Sequence, residues 1–137
     1  MHEDSLKHGA FGWNELMTTD AEAAKQFYTA LFGWETEEAP MEVMEGMEGM
    51  KYTVLKVDGD PVGGLTGMPP ECRGMPPTWG VYITVDDVDT AAARAEELGG
   101  KLLRPPADIP NVGRFCVIQD PQGAALCAIT YVKKEGE

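Results

Sequence analysis

The chain has 137 residues, 43% of them apolar, and 11 Lys and Arg stand against 23 Asp and Glu for a net charge of −12. That length holds one compact domain, here 1–137, and the apolar content is too high for wholesale disorder. The charge repels phosphate backbones and anionic headgroups, and Lys133-Lys134 is the only adjacent basic pair, so neither nucleic acid nor a membrane surface is an expected partner.

Met1 to His8 lacks the basic start and apolar core of a signal peptide, and no apolar run reaches the roughly 18 residues of a membrane span. A cytoplasmic location is expected. His2 and His8 are the only histidines, and both read as solvated tail residues. Trp13 to Asp20 reads as a strand ending at a helix-capping Asp. The helix that follows, to Phe32, sets Ala21, Ala24, Tyr28 and Leu31 on one stripe, and Gly33 stops it. Gly33-Trp34-Glu35 and then Lys51 to Val57, the turn Asp58-Gly59-Asp60, and Pro61 to Leu65 read as strand, turn and short strand, so that this half reads β-α-β-β-β.

The same order returns 67 residues later. Gly80 to Asp87 matches Trp13 to Asp20, Asp87 matches Asp20, and Gly100 matches Gly33. Val88, Ala91, Ala95 and Leu98 form the second stripe. Three strands follow: Lys101 to Arg104, Arg114 to Gln119 and Ala124 to Tyr131, with the turn Asp120-Pro121-Gln122-Gly123 between the last two. Module one spans about 9–67 and module two about 79–132. The linker 68–78 is kept extended by two Pro-Pro pairs. Cys72, Cys116 and Cys127 form no Cys-x-x-Cys pair, which leaves reduced, packed thiols as the expectation.

A paired βαβββ unit carrying Asp20, Phe27-Tyr28, Leu31-Phe32-Gly33-Trp34, Val85-Asp86-Asp87 and Asp120-Pro121-Gln122-Gly123 resembles the vicinal oxygen chelate superfamily, the glyoxalase, bleomycin-resistance and extradiol-dioxygenase group. The resemblance implies an α+β fold whose two modules curl into a half-open, mostly antiparallel barrel, commonly in a homodimer. It places metal ligands at Trp13, Gly64, Gly80 and Cys127. Only Cys127 there carries a side-chain donor, so neither metal nor cofactor is expected. With no histidine in the strands, Ser-His or Cys-His nucleophile activation also lacks its base.

Strand alternation from those positions brings Glu15, Met17 and Tyr82 to the same concavity. The candidate ligand-binding set is Trp13, Glu15, Met17, Trp79, Tyr82, Arg114 and Cys127, with no catalytic residue assigned. Glu15 is either a partner for a cationic ligand or a base, or it pairs with Arg114, Tyr82 or a main-chain N–H. Arg114 either holds an anionic ligand group near the cavity mouth or pairs with surface acids. Met41, Met44, Met47 and Met50, interleaved with Glu, read as a rim or lid or as a loop packed on its surroundings. The function this supports is binding of a small, cationic or aromatic molecule without a catalytic metal. Two alternatives stay open. One is a glyoxalase-related lyase, isomerase or dioxygenase, using unrecognised metal ligands or Glu15 as base. The other is an interaction protein whose concavity is filled.

Overall fold

A computed structural model describes residues 3–40, 51–68, 74–109 and 112–132. The Met41–Met50 segment and linker residues 69–73, Cys72 among them, lie outside the described residues, and so does His2. Two compact units share the chain: one runs Trp13–Gly80, and the other joins His2–Gly12 to Val81–Glu137.

The first unit is built from β1 (Phe11–Thr18, from Trp13 onward), α1 (Ala21–Phe32), β2 (Glu35–Pro40), β3 (Lys51–Val57) and β4 (Asp60–Gly67). The strand order is β2-β3-β4-β1. β3 pairs antiparallel with β2 and β4, and β4 lies parallel to β1 with Gly64 beside Glu15 and Thr66 beside Met17. One face is dictated by Leu16, Leu55 and Leu65, all at or below 4% exposure, onto which Ala21, Ala24, Tyr28 and Trp34 pack. Each buried Leu removes enough apolar surface to stabilise the unit by about 2 kcal/mol. The two-residue period then sends Trp13, Glu15 and Met17 to the sheet face opposite α1.

The second unit holds β5 (Thr78–Thr84, its last four residues here), α2 (Val88–Glu97), β6 (Lys101–Ile109), β7 (Gly113–Gln119) and β8 (Ala125–Tyr131). The order is β5-β8-β7-β6, with Tyr82 beside Cys127 in the one parallel pairing. Val85, Val88, Ala92, Cys116 and Ala128 form its core against α2. Burial pushes the Cys116 thiol up in pKa, which keeps it protonated and inert.

The chain is therefore α+β with βαβββ repeated. Asp20 caps α1 by accepting the Ala23 N–H at 3.0 Å, and Asp87 caps α2 by accepting those of Asp89 and Thr90 at 2.9 and 3.3 Å. Three local expectations need correction. The left-handed residue after α2 is Gly99, at φ 92°, not Gly100, whose N–H instead closes onto the Ala95 carbonyl. The strand begun at Lys101 does not stop at Arg104 but runs through Pro105-Pro106 to Ile109. As the last strand in its sheet order β6 has ladder partners on one side only, where a missing N–H is tolerated. His8 is solvated as expected, with its side chain 62% exposed, but it is anchored and not a loose tail residue: its Nδ1 accepts the Asp86 N–H at 3.0 Å. The segment around it, after a 3-10 turn at Glu3–Leu6, ties to Thr84 through the Gly9 N–H at 2.7 Å and the Ala10 carbonyl at 2.9 Å.

Candidate functional site

On the first unit's face opposite α1, the Trp13 indole N–H donates to the Tyr52 hydroxyl oxygen at 2.8 Å. Tyr52 reaches this face because β3 buries Thr53 and Leu55 on the other. A Cβ built at Gly64 would overlap the Tyr52 Oη and Cζ atoms, so the phenol occupies the space that any side chain at position 64 would need. Gly64 is the register partner of Glu15. Trp13, Glu15, Met17 and Tyr52, each partly exposed, thus share one patch of sheet, which combines aromatic area, a phenol and a carboxylate.

Two of the four positions given to metal ligands by resemblance fall in this patch, and they do not fit a metal. The Trp13 nitrogen is a donor with no lone pair to give, and it is already hydrogen-bonded. At position 64 there is no side chain, and the phenol fills the gap. Gly80 adds none, and Cys127 alone is short of the ligands a divalent ion requires. Among the described residues no three His, Cys, Asp or Glu lie close enough together to hold an ion.

In the second unit, Tyr82, Cys127, Val117 and Arg104 follow one another across the strands in register. The Arg104 guanidinium sits 5.4 Å from the Phe115 ring centroid, and the Tyr82 ring lies 6.5 Å from that of Phe115. This row occupies the face opposite α2. Arg114, one step away in the alternation, is on the α2 face. Its Nε and Nη2 hold the Asp89 carboxylate at 2.9 and 3.0 Å, and its Nη1 holds Asp108 at 3.2 Å. The guanidinium keeps the Asp89 carboxyl below its ordinary pKa. Arg114 thus pairs with surface acids and does not share a face with Tyr82 and Cys127.

Trp79 is likewise placed away from the predicted set. It packs edge-on to Tyr28 of α1, with ring centroids 5.4 Å apart, and donates its indole N–H to the Tyr28 hydroxyl at 3.2 Å. Trp34 and Phe32 complete that aromatic cluster. Sequence reasoning missed Tyr52 and Arg104. The first was within reach, because alternation from Thr53 and Leu55 puts Tyr52 on the Trp13 side. The second was not, because register shifts between Leu102 and Ala107 break a simple count along β6. Two open hollows lie away from these patches. One, of about 290 Å³, is lined by Thr18, Gly67 and Met75 among others, and one of about 510 Å³ runs along α2 beside His8.

A sequence model of the Glyoxalase/Bleomycin resistance protein/Dioxygenase superfamily matches residues 9–128, and the chain belongs to that superfamily. It is 40% identical over 121 residues to the Mycobacterium tuberculosis protein named "Putative glyoxylase CFP32", across 88% of this chain and 45% of that protein. It is 35% identical over 130 residues to the Streptomyces peucetius anthracycline biosynthesis protein DnrV, across 86% of this chain and 46% of that protein. The chain spans about half the length of the curated relatives it matches. Among solved structures it shares its fold with methylmalonyl-CoA epimerase from Mycobacterium tuberculosis, at a TM-score of 0.66 and 18% identity, covering 97% of this chain and 94% of that one. It also shares it with a Streptomyces coelicolor epimerase in complex with 2-nitronate-propionyl-CoA, at 0.67 and 20%, covering 96% and 100%.

Proposed function

We propose that this chain binds a small molecule with an aromatic or apolar body and a polar handle, cationic ligands included, on the first unit's face opposite α1 and without a catalytic metal. The observation that carries this reading is the Trp13 to Tyr52 hydrogen bond at 2.8 Å, seated over Gly64 where the resemblance places metal ligands. An indole and a phenol offer area for an aromatic ring, and Glu15 and the net charge of −12 favour a cation. The relative named for anthracycline biosynthesis makes an anthracycline a sensible first ligand. A homodimer in the cytoplasm belongs to the same proposal.

The test is a fluorescence titration of the purified protein with doxorubicin, paired with elemental analysis after incubation with Zn, Ni, Mn and Fe salts. Saturable binding with no stoichiometric ion is expected. One tightly held ion per chain would overturn the metal-free reading. A second reading, a metal-free enzyme with Glu15 as base, is favoured by the register of Glu15 beside Gly64, over which the Tyr52 phenol is seated. It requires catalysed exchange of an acidic C–H proton into deuterated water, abolished in Glu15→Gln.

A further inference from the structure

We infer that the outward face of α1 is where a second copy of this chain docks, so that the two α1 helices pack against each other about a two-fold axis beside Phe27. The inference rests on the homodimer proposed above and names its face.

The sequence of α1 carries more apolar surface than its own sheet uses. Ala21, Ala24 and Tyr28 pack on the Leu16, Leu55 and Leu65 core. One step round the helix, Ala23, Phe27, Ala30 and Leu31 repeat at the i, i+4, i+7, i+8 spacing of a second packed face, and all four are exposed. None of the 12 residues of α1 is buried, whereas α2 buries Val88 and Ala92. A helix with one covered face keeps polar residues on its solvent side, and α1 instead turns a phenylalanine and a leucine there.

The patch continues past this stripe. Phe27 meets the Tyr28 ring edge-on at 5.0 Å between centroids, Tyr28 stacks on Phe32 at 6.2 Å, and the Trp79 indole N–H donates to the Tyr28 hydroxyl at 3.2 Å. These contacts hold the rings in place before a partner arrives, which lowers the entropy lost on docking. Phe27, Leu31 and Phe32 are each more than half exposed, and Trp79 is 40% exposed. At roughly 200 Å² per large side chain these four offer about 400 Å² of apolar surface, against the about 800 Å² per partner that a stable interface buries in all.

Charge selects the occupant. A chain of net charge −12 repels its own copies. The charged residues of α1 are one Glu and one Lys, Glu22 and Lys25, and the stripe of Ala23, Phe27, Ala30 and Leu31 carries none. Two copies therefore meet here without like charges between them. A two-fold interface must also be self-complementary. With antiparallel helices crossing at Phe27, Ala23 lies opposite the partner's Leu31, small against large, and Phe27 lies opposite the partner's Phe27. The face opposite α1, where the ligand is proposed to bind, stays open.

Sedimentation equilibrium over a dilution series gives the dimer dissociation constant of the wild type, Phe27→Glu, Leu31→Glu and Leu103→Glu, with a thermal melt of each. Leu103→Glu adds the same charge at a half-exposed leucine of the other unit. The wild type should be a dimer at micromolar concentration. Phe27→Glu should raise the dissociation constant by at least about thirtyfold, as the loss of a central aromatic anchor does, and Leu103→Glu should change it far less. Mixing Phe27→Glu with Phe27→Lys should restore a dimer that neither forms alone, because the two-fold sets the unlike charges together. Should Phe27→Glu fail to fold, Leu31→Glu decides in its place. A wild-type dimer that Phe27→Glu leaves intact, equal weakening by Leu103→Glu, or no recovery on mixing would overturn the α1 face and leave a homodimer through another surface standing. A monomeric wild type would overturn both.

Discussion

The Tyr52 phenol and a side chain at position 64 exclude each other. An Ala at position 64 must drive the phenol out, and with it the bond from Trp13. Gly64→Ala is therefore expected to cost about 1–3 kcal/mol in chemical denaturation, as overpacked sites do. In a Tyr52→Ala background the same substitution should cost little, and the coupling from the double-mutant cycle measures the exclusion. At Asp89 the prediction concerns pH. Arg114 holds its carboxyl below the ordinary range in the folded chain, so the pair's contribution is present above the usual carboxylate pKa and is lost as pH falls through the folded value. NMR titration should find Asp89 low in the wild type and moved up in Arg114→Gln, an upward move that an Asp89 indifferent to Arg114 would not show.

The elements were the most legible level. Each helix announces itself by a capping Asp, a stripe and a glycine, and most strands by their apolar runs between turns, because these are local and depend on a few neighbouring residues. Asp20→Ala removes the acceptor for the Ala23 N–H and should lower stability by about 1 kcal/mol, read as a drop in melting temperature. What escaped was set by partners distant in sequence. The extension of β6 through two prolines depends on its place at the end of the strand order, and the anchoring of His8 depends on Asp86, 78 residues on. For the candidate site, Trp13, Glu15 and Met17 were legible as a set because one strand carries all three. Trp79 and Arg114 were assigned to it although each is an odd step in the alternation, and both pack toward a helix. On α1, Phe27 and Leu31, at 60% and 58% exposure, show that a helical stripe predicts a direction and not how much of it is covered.

At the scale of the whole molecule, superfamily membership accounts for the architecture but not for the chemistry, since the positions that carry a metal by resemblance here carry an indole and a glycine. The charge is the property that acts at longest range. With a net −12, association of a cationic aromatic should slow as salt is raised from about 0.01 to 0.15 M, over which the screening length shrinks several-fold. Stopped-flow rates should fall for doxorubicin and stay flat for a neutral anthraquinone. Equal salt dependence would remove the role assigned to charge. No helix among the described residues is long and apolar enough to cross a membrane.

The fit of the Tyr52 phenol over Gly64 also imposes an order on substitution. While tyrosine stands at 52 in this pose, every non-glycine residue at 64 meets the ring, so a side chain regained there must first displace the phenol at a cost in stability. In the opposite direction, the tyrosine could settle in this pose only once position 64 was bare. The pair behaves as a ratchet: it narrows the single-step paths back to a metal site and makes Tyr52, rather than position 64, the residue to change first when such a site is to be rebuilt.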